Sequence, residues 1–326
     1  MKALQLIKYG EIKDSVVIQE IQKPVPGAKD VLIEVKAASI NPIDHIIASG
    51  AYKSMIQLTL PTTIGFDVSG IVVEKGAEVT NFEIGDLVYS RAPRNQMGTI
   101  AEYVAIDSSV VSKKPGNLSF EEATALPLVG LTTLQALGKV GLKKNDKILI
   151  HAGSGGVGSF AIQYAKAVGA YVFTTTSTEN VSWVKELGAD RVIDYKKEDY
   201  KAIVKDADIV FDTLGKNYTL EVFDVIRYGG KVTIVTGPFD EETARMLGIP
   251  NYKLPEDIAT LARKKSAEYK QTMMQPNGKQ LDLIKGLVEE GAIKPIIDSV
   301  YPFAQSIEAL EKLVSGRAKG KIIIAF

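Results

Sequence analysis

Residues 151–158 read His-Ala-Gly-Ser-Gly-Gly-Val-Gly, and the segment Gly153-Ser154-Gly155-Gly156-Val157-Gly158 matches the spacing G-x-G-x-x-G. Glycines so spaced let the backbone turn tightly and approach a pyrophosphate. A helix starting there adds free N–H groups and the positive end of its dipole. The flanking residues fit that use. Residues 147–153 begin as a buried apolar strand, and residues 157–168 place Val157, Ala161, Tyr164, Ala165 and Val168 on one helical face before a stop at Gly169. Where an acid would hold a ribose 2′-hydroxyl, the chain has Thr174-Thr175-Thr176-Ser177-Thr178, and Glu179 is the first acid. With no carboxylate at the strand end to repel it, a 2′-phosphate is tolerated, which favours NADPH. No Arg or Lys stands close to that stretch in sequence.

Other chemistries are limited by what the chain lacks. It has 326 residues and no cysteine. Disulfides, thiolate zinc sites, iron–sulfur clusters and cysteine nucleophiles are therefore excluded. The two histidines are His45 and His151. His45 reads as a surface or packing residue and His151, before the glycine loop, as structural. The 39 basic residues balance 39 acidic ones, which argues against a broad nucleic-acid surface. There is no signal-peptide pattern and no apolar stretch long enough for a membrane span, so a cytoplasmic protein without a membrane partner is expected.

These residues need elements to position them. Up to about residue 120 the chain reads as closely spaced strands (16–21, 31–40, 70–76, 86–90 and 101–106) bounded by Gly and Pro, which is a barrel-like pattern. A short helix is expected near Pro42–Gly50. From Ser119, a good helix cap ahead of Glu121 and Glu122, strands alternate with helices. Strands are expected at 147–153, 170–175, 191–195, 208–213, 231–237 and 269–274, and helices over 218–228 and 278–290. Six buried strands with intervening helices imply a doubly wound parallel sheet. The segment after 291 returns to the β-rich style. The expected organisation is a catalytic domain of residues 1–120 plus 292–326, with a nucleotide-binding domain of residues 121–291 inserted in it.

The chain resembles the zinc-free quinone oxidoreductase branch of the medium-chain dehydrogenase/reductase superfamily, the group of zeta-crystallin-like and enone oxidoreductases. The resemblance covers essentially the whole chain. It rests on Ser39-Ile40-Asn41-Pro42-Ile43-Asp44, Ser49-Gly50-Ala51-Tyr52, Ile64-Gly65-Phe66-Asp67-Val68-Ser69-Gly70, Gly98-Thr99-Ile100-Ala101-Glu102-Tyr103, the glycine loop, Leu187-Gly188-Ala189-Asp190 and Ser315-Gly316-Arg317. It implies an α/β fold, with a Rossmann doubly wound parallel sheet and a GroES-like β-rich catalytic domain. Zinc alcohol dehydrogenases of the superfamily carry Gly-His-Glu where this chain has Gly65-Phe66-Asp67. Phe66 cannot ligate a metal, so no metal site is expected.

The resemblance further implies NADPH-dependent hydride transfer to a quinone or an enone. A conjugated carbonyl needs less activation, because attack at its β-carbon spreads charge onto the oxygen as an enolate, which hydrogen-bond donors stabilise. By resemblance, Asn41, Asp44 and Tyr52 are the catalytic candidates. Asn41-Pro42-Ile43-Asp44 also reads simply as a helix start, and Tyr52 and Lys53 also read as surface residues. The implied cofactor contacts are Asn41, Thr132, Ser154, Gly155, Gly156, Val157, Gly158, Ser177, Asn180, Tyr195 and Arg317. Many relatives carry Lys where Asn180 stands, which shifts the charge partner of a 2′-phosphate to Arg317 or to a lysine such as Lys319. A homodimer is expected. The alternative is a non-catalytic NADPH-binding structural or regulatory protein of the zeta-crystallin type.

Overall fold

The structure, a computed structural model, describes residues 1–53 and 57–326. The chain forms two compact units, residues 1–131 with 275–326 and residues 132–274. The first unit opens with β1 (Lys2–Leu6), α1 (Ile12–Ser15), β2 (Val16–Glu20) and β3 (Asp30–Ile40). Next come α2 (Pro42–Ala48), β4 (Thr62–Thr63), β5 (Asp67–Lys75), β6 (Leu87–Arg91), β7 (Tyr103–Asp107) and β8 (Val111–Lys113). Helix α3 (Phe120–Thr124) follows, and then α4 (Pro127–Lys139), whose residues from Thr132 on belong to the second unit. The α3 start is fixed by a reciprocal cap: the Glu122 N–H donates to Ser119 Oγ (3.2 Å) and the Ser119 N–H to Glu122 Oε2 (2.8 Å). Such a cap contributes about 1 kcal/mol.

The second unit holds β9 (Lys147–Ile150), α5 (Gly156–Val168), β10 (Tyr171–Thr176), α6 (Val181–Glu186), β11 (Arg191–Asp194), α7 (Tyr200–Ile203) and β12 (Ala207–Asp212). It continues with α8 (Tyr218–Val225), β13 (Ile226–Ile234), α9 (Glu241–Met246), α10 (Glu256–Lys265) and β14 (Glu268–Gln271). The six strands are all parallel, in the order β11-β10-β9-β12-β13-β14. The sheet is doubly wound and buried on both faces. Ile148 and Ile150 join a core with Ala161, Ile162 and Ala165, whereas Leu149 between them joins the opposite core with Val210, Phe223 and Val232. The apolar run Ile148–Ile150 in β9 follows from this, since each of these residues finds a covered face. Helix α8 stops at Val225, earlier than the periodicity over 218–228 suggests, because Ile226 pairs with Ala207 in the sheet.

The chain returns to the first unit with α11 (Gly278–Glu289), β15 (Ile297–Pro302), α12 (Ser306–Val314) and β16 (Lys321–Ala325). Strand β16 pairs parallel to β15 and antiparallel to β3, within a sheet ordered β15-β16-β3-β5-β6-β8 that also carries β7 on β3. A smaller sheet has the order β2-β1-β4.

Residues 121–131 and 275–291, expected with the nucleotide-binding half, lie in the first unit. The contacts of α3 and α11 account for this. The Ser69 hydroxyl donates to the Phe120 carbonyl (2.6 Å), and the Tyr89 hydroxyl to the Leu281 carbonyl (2.6 Å). Ser112 Oγ donates to Asp282 Oδ1 (2.6 Å), and the Gly116 N–H to Glu289 Oε1 (2.8 Å). Among the described residues, no helix is long and apolar enough to cross a membrane.

Candidate functional site

The glycine loop lies at the carboxyl end of β9, where a doubly wound sheet binds its ligands. Two of its glycines are required by the protein itself. A Cβ on Gly153 would come within 2.3 Å of Thr174 Oγ1, and one on Gly158 within 2.2 Å of the Ala152 carbonyl oxygen. Gly155 differs. It caps α5 with ordinary extended dihedrals, and a Cβ there would meet no protein atom closer than 3.4 Å. No side chain caps the first N–H groups of α5. A bare backbone turn on a 13-residue helix, with room beside Gly155, fits the diphosphate of a dinucleotide. Ser154, Gly155, Gly156 and Val157 are partly exposed and Gly158 is buried. Thr132 is buried in α4.

The carboxyl end of β10 is acid-free, as the sequence suggests. The Thr174 hydroxyl donates to the Ile150 carbonyl (2.8 Å), and Thr175 Oγ1 accepts from the Ala152 N–H (3.3 Å). Ser177 and Asn180 follow. The Asn180 amide is committed on both sides, since Nδ2 donates to Ser177 Oγ (3.0 Å) and Oδ1 accepts from the Trp183 indole (3.0 Å). Register Thr176↔Asp194 aligns the next strand, which delivers Tyr195 and Lys196 beside this segment. Lys196 Nζ lies 3.2 Å from Glu179 Oε2. The backbone N–H of Glu179, the Ser177 hydroxyl and the Lys196 ammonium together hold the Glu179 carboxyl down at about 2. Nothing in the residues around 174–180 signals this lysine, since the parallel pairing of β10 with β11 brings it there.

Two candidates of the first unit, Asn41 and Asp44, meet in a buried polar cluster. Asn41 and Asp44 are each 1% exposed. The Asn41 N–H donates to Asp44 Oδ2 (2.7 Å), which stabilises the start of α2. The Asn41 side chain turns away from the helix, with Nδ2 donating to Asp67 Oδ2 (2.9 Å) and Oδ1 accepting from the Lys321 ammonium. Asp67 also accepts from the Ser39 hydroxyl (2.8 Å) and the Leu128 N–H (3.0 Å). Lys321 Nζ is 3.3 Å from Asp67 Oδ2 and donates to the Ile40 carbonyl (3.1 Å). Register Ile322↔Ile40 explains the meeting, because it sets Lys321 against the end of β3.

Asp44 Oδ1 has no hydrogen-bond partner among the described residues. Burial pushes its carboxyl up to about 7, and the Asp67 charge adds to the rise against the opposing pull of the Asn41 N–H, Lys321 and Arg91. Burial also pulls the Lys321 ammonium below the usual lysine range, opposed by Asp67 and Asp44. The Arg91 guanidinium sits 4.3 Å above the buried Phe66 ring, and burial lowers it to about 10. Tyr52 is 40% exposed in a turn after α2, and Arg317 is exposed in the turn after α12. Among the described residues, no group of three or more His, Asp and Glu stands where it would hold a metal ion.

His151 is fully buried beneath the glycine loop. Its Nδ1 is 3.1 Å from Asp212 Oδ1, and Tyr200 and Tyr218 meet its ring edge-on. Burial alone would raise the Asp212 carboxyl. The pairing with His151 and the N–H groups of Leu214 and Gly215 outweigh it and hold the group below the usual range. Asp212 thus organises the loop after β12, consistent with a structural His151.

Two family descriptions match the chain: an alcohol dehydrogenase GroES-like domain over residues 27–116, and a zinc-binding dehydrogenase over residues 187–324. The chain is 34% identical to the 2-methylene-furan-3-one reductase of Solanum lycopersicum over 336 residues, 99% of this chain and 79% of that protein. It is 34% identical to a mitochondrial NAD(P)H oxidoreductase of Homo sapiens over 353 residues, 99% and 89% of the two chains. Among solved structures, the quinone oxidoreductase of Coxiella burnetii superposes with a TM-score of 0.88 at 32% identity, covering 100% of this chain and 99% of that one.

Proposed function

The chain belongs to the zinc-free quinone oxidoreductase branch of the medium-chain dehydrogenase/reductase superfamily, whose members are NAD(P)H-dependent oxidoreductases, and on that premise we propose that it reduces quinones or α,β-unsaturated carbonyls with NADPH and without zinc. One observation carries this reading. Phe66 occupies the position at which the zinc enzymes of the superfamily place a histidine ligand, and the chain has no cysteine to complete a zinc site. With no Lewis acid, an acceptor activated by its own conjugation is the substrate class that fits.

Bound NADPH supplies the hydride. The backbone of Ser154–Gly158 would hold the diphosphate at the start of α5. Ser177, Asn180 and Tyr195 would surround the adenosine ribose, beside a β10 end that carries no acid of its own. Tyr52 donates a hydrogen bond to the substrate oxygen as it gains enolate charge. Asn41 serves as a positioning residue, because its amide already joins Asp67 to Lys321. Asp44 fixes the turn into α2 through the Asn41 N–H. Thr132 and Arg317 complete the proposed cofactor contacts, and a homodimer is the proposed assembly.

The test is consumption of NADPH, followed by the ultraviolet absorbance of the reduced nicotinamide, over a panel of enones and quinones with and without a chelator. Turnover unchanged by chelation is expected. Turnover lost to the chelator and restored by zinc would refute the metal-free chemistry. A clear NADH preference would refute the cofactor assignment. Tight NADPH binding without turnover on any acceptor would favour the non-catalytic alternative.

A further inference from the structure

Glu179 and Lys196 are 17 positions apart in sequence, and the parallel pairing of β10 with β11 brings them together just past the acid-free strand end. They terminate a polar chain. The Trp183 indole donates to Asn180 Oδ1, Asn180 Nδ2 donates to Ser177 Oγ, and the Ser177 hydroxyl donates onward to Glu179, whose carboxylate faces Lys196. Asn180 and Ser177 are both buried, so their orientation is fixed. The Asn180 amide already uses its oxygen and one N–H within this chain, and as a neutral group it supplies no charge. The neighbouring Asp194 carboxylate accepts from the Thr178 hydroxyl (2.7 Å) and faces Lys197 at 3.6 Å. Among the described residues, Lys196 is the cation paired directly with a carboxylate of the Ser177–Asn180 segment, whereas Lys197 reaches it only through Asp194.

The Glu179–Lys196 pair is about half exposed on both sides. Exposed pairs of this kind bind weakly. A dianionic phosphate arriving beside Ser177 and Tyr195 offers the ammonium a stronger partner than one carboxylate. Glu179 would then face the phosphate as a like charge.

We propose that Lys196 is the residue that pairs with the 2′-phosphate of NADPH, and that Glu179 competes for it. Glu179 occupies the ammonium when no phosphate is present and repels the phosphate when it binds. With a free ribose 2′-hydroxyl in place of the phosphate, Lys196 stays on Glu179, and the remaining lone pairs of that carboxylate accept from the hydroxyl, the role an acid plays in NAD sites. The pair thus sets a graded preference for NADPH over NADH. This inference rests on the NADPH reading and supplies the charge partner that Asn180 does not.

The test uses the full chain and two probes, adenosine 2′,5′-bisphosphate and adenosine 5′-monophosphate, titrated by calorimetry. The wild-type protein is expected to bind the bisphosphate more tightly, by a margin that shrinks as salt rises. Lys196→Ala should weaken the bisphosphate about tenfold or more and leave the monophosphate unchanged, while Lys196→Arg should retain most of the affinity. Glu179→Gln should tighten the bisphosphate several-fold. A Lys196→Ala protein that keeps the wild-type ratio of the two affinities overturns the assignment, as does an equal fall for both probes, which marks damage to the loop. Loss of the ratio in Arg317→Ala with Lys196→Ala unchanged overturns it as well. If the wild-type protein shows no preference for the bisphosphate, the NADPH reading itself falls and the assignment falls with it.

Discussion

Asp44 is a carboxyl group that the folded protein would rather keep protonated, so its replacement by asparagine should leave a pH signature in stability. Its pKa rises from 3.8 to about 7 on folding, chiefly because burial disfavours the charged form. Each pKa unit corresponds to about 1.4 kcal/mol, so the ionised group destabilises the native state by roughly 4 kcal/mol once fully charged. The sign follows from proton counting. Between the two pKa values the folded chain binds more protons than the unfolded chain, so stability falls as pH rises. The fall starts near the unfolded value and levels off above about 7. Asp44→Asn keeps the oxygen that accepts the Asn41 N–H and cannot ionise. The new amide nitrogen takes the place of the unpartnered Oδ1, which costs about 1–3 kcal/mol at every pH. The diagnostic is therefore the slope and not the offset. Urea denaturation of both proteins across this range should show the variant gaining about 3–4 kcal/mol on the wild-type chain between roughly pH 4 and pH 8. A difference that stays constant within about 1 kcal/mol, or that shrinks with rising pH, would refute the burial argument.

Lys321→Met should destabilise the first unit by about 3–5 kcal/mol, because it leaves the Asp67 carboxylate buried without its cation. Thermal unfolding checks this, and a loss below about 1 kcal/mol contradicts it. Gly158→Ala would force a Cβ against the Ala152 carbonyl, so loop geometry and nucleotide affinity should both be lost. Gly155→Ala should instead keep stability within about 1 kcal/mol while weakening NADPH binding, since nothing in the protein opposes its Cβ. Equal stability losses in the two glycine variants would argue against a ligand lying beside Gly155. Tyr52→Phe should lower kcat on enones about tenfold or more with little change in NADPH affinity. An unchanged kcat assigns Tyr52 to the surface.

The local chemistry of the chain was the most legible part of it. The glycine loop, the Ser119 cap and the alternation of strands with helices each follow from neighbouring residues, and the six-stranded sheet appears where the sequence puts it. What escaped was pairing at a distance. The amphipathic run at 278–290 announces a helix with one buried face, but not that β8 and Tyr89 would cover it. The family motif at Asn41–Asp44 gives no sign that Lys321 would be drawn against it. A lysine ahead of an apolar strand reads as solvated, and only the β16–β3 register buries it. The Glu179–Lys196 pair is hidden from the sequence for the same reason, since β10 and β11 meet through a crossover helix.

The position of β16 between β15 and β3 has a consequence for how the chain is made. Synthesis runs from the amino end, so residues 132–274, a contiguous unit, can fold while the first unit still lacks a strand. Until residues 321–325 emerge, the edge of β3 that later pairs with β16 is open, and Asp67 has no Lys321 to neutralise it. The earlier half of that unit must wait on the ribosome with an unpaired strand edge, the state in which a nascent chain most needs a chaperone. Any shortening of the chain that removes Lys321 would prolong this exposure indefinitely.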